Sequence, residues 1–129
     1  MFIIKTTAET IEQVIKNCKH ASMDRLRKAK IGDLVLIAQT RHSIENDIDM
    51  DYKSIRHLMQ YEGIMYDKNN ESEKIWGRKW RYIINLSNLK EIKPFNIEDI
   101  QISNKKYGAA VKFTYLTNED EDAVLKWIG

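Results

Sequence analysis

Five consecutive apolar residues, Leu34-Val35-Leu36-Ile37-Ala38, constrain this chain more than any other feature. A run that short is a strand, and one without a polar face belongs in the middle of a sheet. The turn Ile31-Gly32-Asp33 leads into it. Phe2-Ile3-Ile4-Lys5 reads as a second buried strand that hands over directly to a helix. Thr6 and Glu9 have the spacing of a capping box, whose side chains satisfy the free amides of a helix start. Ile11, Val14, Ile15 and Cys18 then fall at i, i+3, i+4 and i+7, one apolar stripe. Cys18 is accordingly a core residue. As the single cysteine it cannot form an intramolecular disulfide, which fits a reducing compartment.

Residues 23–30 are basic and predict one or two helical turns. The polar segment 39–56 predicts a long loop or flap, of a length that usually serves function or moves. Residues 58–66 predict a strand that bends or bulges at Gly63, and 67–73 a polar turn. Residues 80–86 and 89–95 predict two strands with Asn88 as the turn between them and Pro94 near the exit. Residues 96–100 suit a single helical turn. From 109 to 116 the pattern alternates, with Val111, Phe113 and Tyr115 on one face. Thr117 caps a last helix, its acidic residues 119–122 at the positive amino end, docked by Val124, Trp127 and Ile128. Most connections run strand to strand. The expected class is therefore α+β, a small mixed β-sheet curled into a pseudo-barrel with flanking helices. At 129 residues, 43% of them apolar, one core and one domain spanning 1–129 are expected.

Much chemistry is excluded. His20, His42 and His57 have no metal-ligand spacing, and no phosphate loop, dinucleotide fingerprint or nucleophile elbow is present. Asp47, Asp49 and Asp51 alternate as in a calcium loop, but the sixth and twelfth positions hold Tyr52 and Leu58 instead of glycine and glutamate. No metal, no cofactor and no catalytic apparatus are expected. The formal net charge is only +2, so any polyanion site must come from local segregation of charge. The start of the chain lacks the form of a secretory leader, and no apolar stretch approaches the roughly 20 residues that span a bilayer. A cytoplasmic location without a membrane partner is the expectation.

Segregation does occur. Arg25, Arg27, Lys28 and Lys30 form one basic cluster; Lys74, Arg78, Lys79 and Arg81 form another, interleaved with Trp76 and Trp80. Cations attract phosphates and indole faces stack on bases. Taken alone, such clusters are more often solvated faces; the combination with tryptophan points to nucleic acid. Trp76 suits a binding surface, Trp80 suits core or ligand wall equally, and Trp127 suits the core. Lys5, Thr6 and Thr7 bring small hydroxyls and helix-start amides together where a flat polar ligand could bind, although capping alone accounts for them.

The segments Phe2-Ile3-Ile4-Lys5-Thr6-Thr7 and Lys30-Ile31-Gly32-Asp33-Leu34-Val35-Leu36-Ile37 resemble the opening of EVE domains. Gly63-Ile64-Met65-Tyr66 and Trp80-Arg81-Tyr82-Ile83-Ile84 resemble their later strands, and Lys5-Thr6 with the stretch from Trp76-Gly77 to Phe95 is similar to YTH domains. Both groups are PUA-like. The resemblance implies binding of DNA or RNA, often with a modified base such as N6-methyladenine flipped into an aromatic cage. Lys5, Thr6, Thr7 and Ser22 carry over as polar contacts. The chain departs from the pattern where related domains place a tryptophan after the first helix, here His20 and Ala21, and where the second strand ends in an aromatic, here Ala38. Either Tyr61, Tyr66, Trp76 or Trp80 supplies substitute walls, or no modified base is read. Phosphates would lie along Arg25, Lys28, Lys30, Arg78, Lys79 and Arg81. Two alternatives stand beside this: an enzyme of the related ASCH type processing nucleosides, with Lys5, Thr6 or Thr7 and Glu62 as its groups, or a protein-interaction or targeting domain, including a homodimer.

Overall fold

The computed structural model describes residues 1–39, 54–96 and 113–129. β1 (Phe2–Thr6) is buried along its whole length and pairs in parallel with β3 (Leu34–Gln39), from Phe2↔Val35 to Thr6↔Gln39. Two apolar strands side by side in parallel require a crossover, and α1 (Ala8–Asn17) with β2 (Lys19–Ser22) lies within it. β4 (Ser54–Tyr66), α2 (Glu71–Trp76), β5 (Tyr82–Asn96), β6 (Phe113–Tyr115) and α3 (Asn118–Ile128) follow. The strand order is β2-β5-β4-β3-β1-β6, every pair but β1–β3 being antiparallel. Among the described residues the sheet is not closed: β2 and β6 are its edges.

Alternation along β1 separates two cores. Phe2 and Ile4 meet Val35, Ile37, Met59, Tyr61 and Ile84 on the concave side, where Val14 of α1 plugs the interior. Ile3 meets Leu36, Ile55 and Phe95 on the other face, covered by Val124 of α3. Each such side chain contributes roughly 1.5–3 kcal/mol through removal from water. Curling of the mixed sheet around α1, with α3 outside, is the expected α+β pseudo-barrel.

Several local expectations need correction. Thr7, not Thr6, caps α1: its hydroxyl oxygen accepts from the Thr10 amide at 3.3 Å and shares a 2.8 Å hydrogen bond with the Thr10 hydroxyl. Thr6 is still engaged in the β1–β3 ladder. Residues 23–30 form bends rather than helix, because the Ser22 hydroxyl binds both the Asp24 amide and carbonyl, and Leu26 dives into the core. Residues 67–73 are not only a turn, since α2 starts at Glu71. Residues 82–96 are one strand, paired with β4 nearly throughout, so Asn88 makes no turn. Pro94 lies within that strand, in the part with no described neighbour on its far side, where its missing N–H costs little. Trp127 rests on Phe95 at 6.2 Å but is half-exposed, not core.

Other expectations hold. Gly63 adopts φ +119° at a register shift in β4, a conformation an L side chain rarely takes. Cys18 packs against the concave core and closes α1 in a left-handed conformation. The stretches at 40–53, including Asp47, Asp49 and Asp51, and at 97–112, including Val111, lie outside the described residues. No helix among the described residues is long and apolar enough to cross a membrane.

Thr117 accepts from the Asp120 amide at 3.2 Å and caps α3, whose first turn carries Glu119, Asp120 and Glu121. Thr117→Ala is expected to lower stability by about 1 kcal/mol, read as a lower urea midpoint with an unchanged slope. A change in slope instead would mean that α3 had detached altogether.

Candidate functional site

The free end of β1 and the edge strand β2 are far apart in the hydrogen-bonded order, yet curling brings both to one cavity. Lys5 and Thr6 come from β1, Thr7 and Thr10 from the first turn of α1, and His20 and Ala21 from β2. Trp76, Arg78 and Trp80 form the remaining wall. The volume, about 290 Å³, sits at the bottom of the roughly 300–1,000 Å³ range of small-molecule sites, a scale suited to one base.

The tryptophans are placed by a short polar device. The Asp67 carboxylate is 4% exposed and accepts from the amides of Glu71 at 2.9 Å and Ser72 at 3.1 Å, the free donors of the first turn of α2. It also accepts from the Ser72 hydroxyl, whose oxygen in turn accepts from the Trp80 amide at 2.8 Å. Burial alone pushes this carboxyl up, but the bonds from Ser72 and Glu71 and the charge of Lys79 outweigh it and hold the group below the usual range. Trp76 ends α2, and Gly77 at φ +72° turns the chain back so that Trp80 returns to the same cavity. The Trp76 ring lies 6.4 Å from that of His20, and its buried Nε1 has no hydrogen-bond partner among the described residues. The Arg78 guanidinium stacks over Trp80 at 4.7 Å.

A larger cleft, about 630 Å³, adjoins the first and shares Trp80 with it. Ser22 and residues 23–28 line one side, and Phe113 and Tyr115 of β6 line another, so it occupies the seam between the sheet's two edges. Arg25 donates from Nε to the Tyr82 hydroxyl at 3.2 Å and covers that ring at 5.4 Å. This hydrogen bond, more than the charge, pulls the Tyr82 hydroxyl below its ordinary value. Lys28 sits over the Tyr115 ring at 5.8 Å.

Of the residues singled out in the sequence, the structure brings Lys5, Thr6, Thr7, Trp76, Trp80 and Arg78 to the smaller cavity and Ser22, Arg25 and Lys28 to the adjoining cleft. Tyr61 does not join them: it is buried in the concave core, edge-on to Phe2 at 5.7 Å. Tyr66 is exposed against Tyr82, and Lys30, Lys79 and Arg81 are exposed and line neither space. Glu62 is exposed and held by the Ser87 hydroxyl. Sequence reasoning missed Thr10, Phe113 and Tyr115 as lining groups. His20 was marked only as the residue standing where related domains carry tryptophan.

A short mixed sheet curled around α1, with α3 on its other face, makes a small α+β fold. Two solved structures share it with this chain. The ASCH protein from Zymomonas mobilis matches with a TM-score of 0.68 over 99% of this chain and 95% of that one, at 12% identity. The YTH domain of the Zygosaccharomyces rouxii MRB1 protein, in complex with N6-methyladenosine RNA, matches with a TM-score of 0.65 over 98% and 84%, at 10% identity. No family model matches the sequence, and no curated protein does.

Proposed function

We propose that this protein is an EVE/YTH-like nucleic-acid-binding module that takes one base of a single strand, methylated or otherwise modified, into the smaller cavity. The observation that carries the reading is the composition of that cavity: two indoles, three threonines and two cations, with no carboxylate among the described lining residues. Indole faces stack on any base at roughly 1–3 kcal/mol each. The buried Trp76 N–H has no acceptor among the described residues, and a ring nitrogen or carbonyl of a base supplies one. Lys5 and Arg78 favour a polyanionic chain leading to that base. The similarity to a YTH domain crystallised with N6-methyladenosine RNA supports the same ligand class.

The ASCH likeness favours a second reading, a nucleoside-processing enzyme. That reading asks for a carboxylate beside Lys5 and the threonines, and the one first considered for it, Glu62, does not line the cavity. We therefore favour binding over catalysis.

The test is a tryptophan-fluorescence titration with plain and methylated RNA and DNA oligonucleotides. Contact with two or three phosphates gives a slope of log K against log salt of about −1.4 to −2.1 for single strands. Tight binding with no salt dependence, or no binding of any oligonucleotide, overturns the proposal; turnover of a modified nucleoside would install the enzyme reading in its place.

A further inference from the structure

The 630 Å³ cleft has no role in the capture of a single base. Its position is informative. Trp80 lines both this cleft and the base cavity, so the two spaces meet at one indole. Its charge is segregated: among the described residues Arg25, Arg27 and Lys28 line it against a single acid, Asp24. Its other surface is aromatic, from Phe113 and Tyr115 on β6. Tyr115 is braced from behind by Phe2 at 5.5 Å, so its ring is fixed by the core and does not collapse into the cleft.

We propose that this cleft is a second nucleotide subsite, which holds the residue next to the base taken by the smaller cavity. The proposal rests on the base-binding reading and extends it to a footprint of two linked nucleotides. A phosphodiester crossing Trp80 brings the next nucleotide over the cleft. Its base lies against Tyr115 and Phe113, and its phosphate meets Arg25, Arg27 or Lys28. Arg25 and Lys28 cover the Tyr82 and Tyr115 rings; all three cations are exposed and swing on flexible stems, so reorientation toward a phosphate costs little. Stacking is tolerant of base identity, so this subsite selects for a linked strand and not for sequence. Ribose and deoxyribose strands share the chemistry that the cleft recognises, and RNA and DNA arms of the test separate them.

The experiment compares four ligands on the intact chain: the free methylated nucleoside, dinucleotides extended on its 5′ or its 3′ side, and a longer oligonucleotide. Extension on one side is expected to tighten binding about tenfold, and extension on the other much less. In the double variant Arg25→Ala, Arg27→Ala that gain is expected to fall below about threefold. Both residues are exposed, so folding is not at issue. As a second readout, 5-iodouridine beside the methylated base is expected to photocross-link to the peptide bearing Phe113 and Tyr115. If the nucleoside binds but neither dinucleotide binds more tightly, the cleft proposal fails while the base cavity stands. A gain that survives in the double variant, or cross-links confined to other peptides, also overturns it. If neither nucleoside nor oligonucleotide binds, both readings fall together.

Discussion

Asp67→Asn is expected to destabilise the protein by about 2–3 kcal/mol at neutral pH, with a difference from the parent that shrinks in acid. The carboxylate is buried and serves two helix-start amides and the Ser72 hydroxyl. Hydrogen bonds to a charged group are worth roughly 1.5–3 kcal/mol, and the amide of asparagine replaces an acceptor with a donor facing donors. Burial by itself raises this carboxyl, but the Ser72 and Glu71 bonds and the Lys79 charge together hold it below its ordinary value. Its folded pKa is thus lower than the unfolded value of about 3.9. The stabilisation is complete above about pH 4 and is lost as pH falls through the lower folded pKa. Urea unfolding of both chains between neutral pH and about pH 3 checks this. A difference that stayed constant over that range would mean the charge of Asp67 is not what holds α2. Because Ser72 also binds the Trp80 amide, the variant should shift tryptophan emission under native conditions.

The strands that carry continuous apolar runs were legible, because a buried parallel pair leaves no polar period to confuse. β1, β3 and the bulge at Gly63 stand where the residues put them. What escaped was decided by partners that the local pattern does not reveal. α2 is six residues long and has no apolar stripe; its first turn is satisfied by Asp67, four residues before it begins. Asn88 has the character of a turn, but pairing with β4 on both sides of it carries β5 straight through. The cap of α1 fell one residue late because Thr6 had a ladder partner in Gln39, which spacing alone does not reveal.

The site was legible in its chemistry and not in its geometry. Lys5, Thr6 and Thr7 stood out as polar groups at a strand end, and Trp76 as a tryptophan in a polar setting. That they share a cavity, across some seventy residues of sequence, follows only from the sheet curling its β2 edge toward β1. Tyr61 and Tyr66 have the right chemistry for a cage but the wrong place. Tyr61 is turned inward to Phe2, and Tyr66 meets Tyr82 edge-on at the carboxyl end of β4 and lines neither space. Phe113 and Tyr115 alternate onto one face, and what that face meets was not legible: they are partly buried against the concave core and open to the cleft.

Trp76→Ala is expected to weaken binding of a methylated oligonucleotide by about 5- to 150-fold, the range that corresponds to a lost stacking energy of roughly 1–3 kcal/mol. Trp76→Phe separates the two things the indole offers. Phenylalanine keeps an aromatic face but removes the Nε1–H, the buried donor without a partner among the described residues. If that donor meets a base acceptor, the phenylalanine variant should fall between the parent and Trp76→Ala; if stacking is everything, it should stay near the parent. Arg78→Ala supplies the contrast. It removes a cation stacked over Trp80 and is expected to reduce the salt slope by about 0.7 while weakening all sequences and both methylation states alike. Circular dichroism confirms that each variant remains folded before affinities are compared. Should Trp76→Ala bind as well as the parent while Arg78→Ala loses affinity, the protein grips the backbone alone and the cavity holds no base.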